Sequence, residues 1–334
     1  MLVAMVKKRK MTKLILLATA SALIVGPAAK MARAQSAGRE DIEVLQVRSD
    51  FYMIAGAGGN IAVQLGPDGV VLVNTGSAQT ADRVLAEIKK LSGKPIRYII
   101  NTSADADVVG GNEKLSKAGQ SFTLNAGAGD DLGGSVAVIV GTENVLNRMS
   151  APTGKQSAFP VAAWPTETFF EKEKPMYMNR EGIQIIAQPA AHTDGDSIVF
   201  FRRSDVVVAG DILDTDHFPV IDVERGGGIQ GEIAALNRLV EIAIPSIPLI
   251  WQEGGTYVIP GHGWLCDQPD VVAYRDMITM IRDRVQNGID KGMTLAQIQD
   301  ADPTKGFKQY GSDSGPWTTR MFVEAIYKSL TAKR

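Results

Sequence analysis

Residues 43–54 carry apolar positions at strand spacing, a period of two, and Ile61–Leu65, Val70–Val73, Ser197–Arg202 and Asp205–Ala209 are short apolar-rich runs next to turn residues, which also predict strands. Gly66-Pro67-Asp68-Gly69 between the second and third runs is a turn sequence, so these two form a hairpin. Arg203-Ser204 turns a second hairpin of the same form. Short apolar runs at Ile96–Ile100, Ala137–Val140 and Tyr257–Ile259 predict buried strands. Each hairpin is expected to run into a loop that opens on a small polar group, Asn74-Thr75-Gly76 or Gly210-Asp211.

The period changes to 3.6 elsewhere. Ala81, Val84, Leu85 and Ile88 mark a helix from Thr80, as its cap, to about Lys90. Helices are also predicted over Asn112–Ala118, Glu143–Met149 and Gln230–Ile242. The last sixty or so residues are helical throughout. Val271, Tyr274, Met277, Ile278, Ile281 and Val285 share one face, Gly292 ends that helix, and Thr294 with Gln297 forms a capping box for the next. A further helix starts near Trp317. Residues 125–135 form a surface loop and 150–166 are irregular. Strands, then helices, then strands again predict a layered α/β fold.

Composition changes this picture mainly at the N-terminus. Five basic residues, Lys7, Lys8, Arg9, Lys10 and Lys13, precede an apolar or small run from Leu14 to Val25, and Ala32-Arg33-Ala34 follows. This is a secretory signal peptide pattern over residues 1–34, too short for a membrane span, which predicts a periplasmic or secreted protein. Residues 1–34 hold seven of the 35 Lys and Arg and none of the 37 Asp and Glu. The remainder therefore has 28 basic and 37 acidic side chains, a net charge of −9. That argues against nucleic acid, and against anionic membrane after cleavage. Cys266 is the only cysteine, so an intramolecular disulfide is excluded, and it is expected as a packed thiol. Gly56-Ala57-Gly58-Gly59 and Gly226-Gly227-Gly228 lack a phosphate-loop lysine and the dinucleotide spacing, so they read as turns.

The chemistry gathers at strand ends. Three histidines occur: His192, His217 and His262. His192 lies in Ala191-His192-Thr193-Asp194-Gly195-Asp196 and His262 in Gly261-His262-Gly263. Asp211 follows a third strand, and Asn101-Thr102-Ser103-Ala104-Asp105-Ala106-Asp107-Val108-Val109-Gly110-Gly111-Asn112 follows a fourth. Strand-end loops are where α/β folds place function.

With Asn74-Thr75-Gly76 in front, these segments in this order resemble the metallo-β-lactamase superfamily over about residues 40–275. The resemblance implies a four-layer αββα sandwich with a metal site along one edge of its sheets, and residues 276–334 as a C-terminal helical extension packed on it. The family's first loop reads H-x-H-x-D-H. Here only Asp107 matches, and the three histidine positions hold Ser103, Asp105 and Val108. Asn74 stands where the family has aspartate.

The ligands that the resemblance carries over are Asp105, Asp107, His192, Asp211 and His262. One family site would use Ser103, Asp105, His192 and Asp211; the other Asp107, Val108, Asp211 and His262. Each is left with three good donors, and Asp211 is shared. Three protein ligands suffice for a catalytic ion. This implies one divalent cation, with an oxygen-rich donor set that suits manganese or iron as well as zinc. His217, six residues after Asp211, is either a substitute nitrogen ligand or a solvent-facing loop residue.

Two functions follow. One is an exported hydrolase in which an altered mononuclear centre activates water against an ester, amide or thioester type of small-molecule substrate, with Asp107 as the catalytic carboxylate. The other is an inactive relative, metal-free, serving as a periplasmic binding or scaffold protein. The C-terminal helices could support a homo-oligomer.

Overall fold

The computed structural model describes residues 42–122, 136–154, 156–246 and 254–332. The predicted signal segment and the whole of the loop predicted at 125–135 lie outside the described residues. The chain begins with two antiparallel hairpins, β1 (Glu43–Arg48) with β2 (Phe51–Ala55) and β3 (Ile61–Gly66) with β4 (Gly69–Val73). Helix α1 (Ala81–Leu91) crosses to β5 (Ile96–Ile100), which pairs parallel with β4. Short helices α2 (Ala106–Val109) and α3 (Asn112–Lys117) precede β6 (Val138–Thr142) and α4 (Glu143–Ser150). A small hairpin, β7 (Pro152–Thr153) with β8 (Gln156–Ser157), leads to β9 (Glu167–Phe169). β9 closes a seven-stranded sheet of order β1-β2-β3-β4-β5-β6-β9.

The second sheet has five strands in sequence order: β10 (Glu173–Met178), β11 (Glu181–Ala187), β12 (Ser197–Phe201), β13 (Val206–Asp214) and β14 (Tyr257–His262). Its last pair is parallel and spans α5 (Ile229–Ile242). Three helices finish the chain: α6 (Gln268–Asp290), α7 (Leu295–Asp300) and α8 (Thr319–Thr331).

Strand periodicity places two apolar faces on each sheet. In β4, Val71 and Val73 point between the sheets, where Phe51, Ile100, Ile185, Val199, Phe201 and Ile259 join them. Phe51 meets Phe201 edge-on across that layer, centroids 4.8 Å apart. Val70 and Leu72 point outward onto Val84 and Ile88 of α1 and Leu115 of α3. The outer face of the second sheet is covered by Leu236 and Leu239 of α5, Val271 and Ile278 of α6, and Phe322 and Ile326 of α8. Each fully buried aliphatic side chain contributes about 1.5–3 kcal/mol. The result is the predicted αββα order, with the C-terminal helices as part of one outer layer. α6 runs unbroken through the expected boundary at 275/276, so that division falls inside a helix.

Three local expectations change. Thr80 precedes α1, but its hydroxyl donates to Ala57 O and Ser77 O, each at 2.9 Å, and does not cap the helix. β13 does not end before Gly210-Asp211; it continues irregularly to Asp214, with register shifts against β14. The β10–β11 hairpin is not predicted by the pattern of the chain. Its tip residue Asn179, with φ 54°, donates from Nδ2 to Gln64 Oε1 at 2.7 Å and to Gly69 O at 3.0 Å. Its Oδ1 accepts from Asp68 N at 2.8 Å. These bonds tie the two sheets at buried positions. Asn179→Ala strands a buried glutamine and a carbonyl, and should lower unfolding stability by about 2–3 kcal/mol in denaturant titration. A loss under about 0.5 kcal/mol would show that water replaces the tie.

Candidate metal centre

The site lies where β4, β5, β13 and β14 end or bend, at the edge of the sandwich. The first loop is held from both ends. Asn101 and Asn112 exchange amide hydrogen bonds of 3.1 and 2.8 Å, and Thr75 Oγ1 donates to Asn112 Oδ1 at 2.9 Å. Asn74, left-handed at φ 66°, accepts from Thr102 N and Thr102 Oγ1 at 3.0 Å each. So the carboxamide at position 74 acts as a strut for the loop. Val108 turns inward and packs with Ala104, Val109, Val145 and Met149. No ligand can come from that position.

From this frame Asp105, His192 and Asp211 converge, and one candidate ligand atom of each lies within 4.8 Å of the others. Among the described residues no other such group of three occurs. Ser103 Oγ donates to Asp211 Oδ2 at 2.8 Å, so serine orients the central carboxylate instead of binding metal. His192 donates from Nδ1 to Val220 O at 2.7 Å. A carbonyl only accepts, so Nδ1 carries the hydrogen and Nε2 faces the site. There Nε2 meets Asp105 Oδ2 at 2.6 Å, and Arg225 Nη1 meets the other oxygen, Oδ1, at 3.1 Å. Asp107 and His262 pair separately, Oδ2 to Nε2 at 3.1 Å. The five predicted ligands therefore divide into a group of three and a pair.

Electrostatics follow the same division. Burial works to raise the Asp105 pKa, but the His192 hydrogen bond and the charges of His192, Arg225 and Arg148 outweigh it and hold it below the usual range. Burial works to lower that of His192, yet Asp105, Asp211 and Asp196 raise it well above its ordinary value. The pair is thus imidazolium and carboxylate. The His262 hydrogen bond keeps Asp107 ionised, and the partnership raises His262 to about 10 against the opposing effect of burial. Asp211 is raised, because burial costs its charge more than His192 and His262 return.

This donor set fits a divalent cation. Two carboxylates and one imidazole carry a formal −2, the imidazole nitrogen facing the site is the one left free by a backbone carbonyl, and the central carboxylate is buried.

Sequence reasoning passed over Arg225. It ends a 3₁₀ turn, Val223–Arg225, whose loop lies directly against the His192 backbone. Asp222 N donates to His192 O and Gly228 N to Ala191 O, both at 2.9 Å. A Cβ on Gly227 would lie 2.1 Å from His192 O. Gly227→Ala should therefore push the loop off His192, costing more than about 1 kcal/mol in thermal unfolding and weakening metal uptake. Unchanged stability and uptake would show that the loop gives way freely. Arg148 fixes the far side, reaching Asp194 and the Arg225 carbonyl. The only sequence signal for Arg225 was the glycine run beside it. Cys266 is packed as expected, buried and donating to Trp264 O at 3.3 Å.

The metallo-beta-lactamase superfamily model matches residues 56–121. Among solved structures, a double mutant of the sec-alkyl sulfatase PisA1 aligns at TM-score 0.63 and 14% identity, over 87% of this chain and 50% of its own. The stereoselective inverting sec-alkylsulfatase Pisa1 from Pseudomonas sp. aligns at 0.58 and 15%, over 86% and 50%. A metallo-beta-lactamase from Pontibacter korlensis aligns at 0.53 and 15%, over 72% and 99%. The chain spans half the length of the sulfatase chains. No curated protein matches it. At these identities the solved structures share the fold of the chain, and the superfamily's own model matches the segment that carries the first loop.

Proposed function

We propose that the protein is an exported, metal-dependent hydrolase of small ester-type substrates, with one divalent cation held by Asp105, His192 and Asp211. The observation that carries this reading is the convergence of those three side chains. When bound there, the cation supplies Lewis-acid charge and lowers the pKa of water. The chain's own residues do the rest. Asp107 is ionised and partly exposed, so it accepts a proton from attacking water. His262 holds its proton and steers the Asp107 carboxylate by the 3.1 Å contact. Arg225, half-exposed at the mouth, grips Asp105 through Nη1 and Asp222 through Nε. Nη2 remains for an anionic group on the substrate. Esters, thioesters and sulfate or phosphate monoesters are the classes to screen. The sulfatase likeness supports including sulfate esters. The pattern in residues 1–34 supports export.

A second reading rests on one observation. Asp105 is fully engaged without metal, by His192 on one oxygen and Arg225 on the other. An inactive binding protein would need no more. One titration separates the two readings. Adding manganese or zinc to chelated protein in a calorimeter should show binding with release of at least one proton, since His192 Nε2 must shed its hydrogen. The proton count comes from repeating the titration in buffers of different ionisation enthalpy. No binding heat with either ion would leave only the binding-protein reading.

A further inference from the structure

We propose a small-molecule site in the C-terminal layer, in the cleft between the end of α6 and α7, that takes a carboxylate with an apolar body. It lies far from the metal centre and does not depend on it. α6 begins at Gln268, close behind His262, and Gly288 stands twenty residues further along the same helix. At 1.5 Å per residue that is about 30 Å.

The cleft has a volume of about 600 Å³. Small-ligand sites run from about 300 to 1,000 Å³. Its floor is apolar: Gly288 of α6, Ile298 of α7 and Pro303 are all buried, and Met293 forms one wall. Ile298 reaches the floor because position 288 has no side chain; a Cβ there would stand 2.7 Å from Ile298 Cγ1 and 3.6 Å from Met293 Sδ. A thioether wall adapts to the shape of what it covers. The cleft is also preformed. Met293 N donates to Gly288 O at 3.0 Å and Lys305 N to Asp302 O at 3.1 Å. Arg284 Nη1 donates to Pro303 O and Lys305 O at 2.8 Å each, which ties the turn after α7 to α6.

The rim keeps donors in reserve, while its acceptors are taken. At the end of α6 the carbonyls of Asn287, Gly288 and Ile289 accept from the backbone of Lys291, Met293 and Gly292. The carbonyls of Pro303 and Lys305 accept from Arg284. Asp302, the carboxylate among the lining residues, accepts from Thr304 Oγ1 at 2.9 Å and pairs with Lys308 at 3.6 Å. What is left is cationic. Among the described residues neither Lys291 nor Lys305 has a carboxylate partner. Arg284 Nη2 meets only the sulfur of Met280, at 3.2 Å. One unpaired surface ammonium selects nothing. Two of them with a guanidinium, around one apolar cleft in a chain of net charge −9 beyond residue 34, select an anion. The apolar floor takes the body, and the lysine stems lie along it with their charged ends at the rim.

The test is a calorimetric titration of the chelated full chain with octanoate, with NMR of labelled protein to locate it. One saturable event is expected, shifting the methyl groups of Ile298 and Met293 and the amide of Gly288. Lys291→Glu combined with Lys305→Glu should weaken it by at least about tenfold, and added salt should weaken it in the parent. Both lysines are exposed, so the double variant should melt as the parent does. Octan-1-ol has the same body without the charge, and should bind at least about tenfold more weakly than octanoate. No saturable octanoate binding overturns the proposal. So does octan-1-ol binding as tightly as octanoate, or a double variant that binds as the parent does. Shifts confined to residues around His192 and Arg225 would place octanoate at the metal centre and overturn it as well.

Discussion

Asp211→Asn is expected to abolish the cation binding proposed for Asp105, His192 and Asp211 while leaving the fold intact. Asp211 is the shared carboxylate of the ligand set, it is buried, and Ser103 holds one of its oxygens at 2.8 Å. Asparagine keeps the shape and an acceptor for Ser103, but removes the charge. A unit charge about 4 Å from another is worth about 4 kcal/mol at an effective dielectric of 20. Against a divalent ion in direct contact the loss is larger, so affinity should fall by at least about a thousandfold. The same change relieves a buried carboxylate whose pKa is already raised, so the chelated variant should melt no lower than the parent. Elemental analysis after dialysis and a melt in chelator read the two effects separately. Stoichiometric metal retained by Asp211→Asn would place the ion elsewhere.

The chelated protein should also lose stability steadily as pH rises from about 5 to 8. Burial raises Asp196 and Asp214 to about 7, and raises Glu232 well above its ordinary value. A group with a raised folded pKa binds its proton more tightly in the folded state. Its contribution is complete below the unfolded pKa, near 4, and is lost as pH climbs through the folded value. Each tenfold gain in proton affinity is worth about 1.4 kcal/mol, so Asp196 and Asp214 each account for up to about 4 kcal/mol between pH 4 and 7. His262, raised to about 10, continues the decline above pH 6.5. Asp105 and Asp107, both lowered, act the other way and only below about pH 4. Melting temperature in chelator at pH 5, 6, 7 and 8 checks the sign. Glu232 is fully buried with neither oxygen partnered, so Glu232→Gln should flatten the slope. A melting temperature that rises between pH 5 and 8 would mean that these carboxyls are ionised inside the fold.

The sandwich was legible because short apolar runs next to turn residues mark its strands and a 3.6-residue period marks its helices, and because glycine-flanked polar groups recur at strand ends. The ligand positions were legible as spacing. What they do in space was not. Ser103 looked like a lost ligand, yet its hydroxyl orients Asp211. Asp211 looked like a loop residue, yet it sits in an irregular strand, because β13 must bend to follow β14 as far as His262. The β10 segment alternates too weakly to announce itself, since it is an edge strand with one face largely exposed. Arg225 lies far along the chain from Asp105, and only the packing of its loop on His192 brings them together. No local pattern encodes such a meeting.

Ser329 Oγ of α8 accepts from Ile229 N at the start of α5, at 3.0 Å, so the last helix pins the loop that carries Arg225 and backs His192. This has a consequence in time. Synthesis and folding proceed from the N-terminus, and Asp105 emerges long before Ser329 does. The first-loop carboxylate therefore waits for the final helix before the wall around it is complete. If a cation is bound there, its choice falls to the compartment that holds the folded chain, and not to the one in which Asp105 first appears.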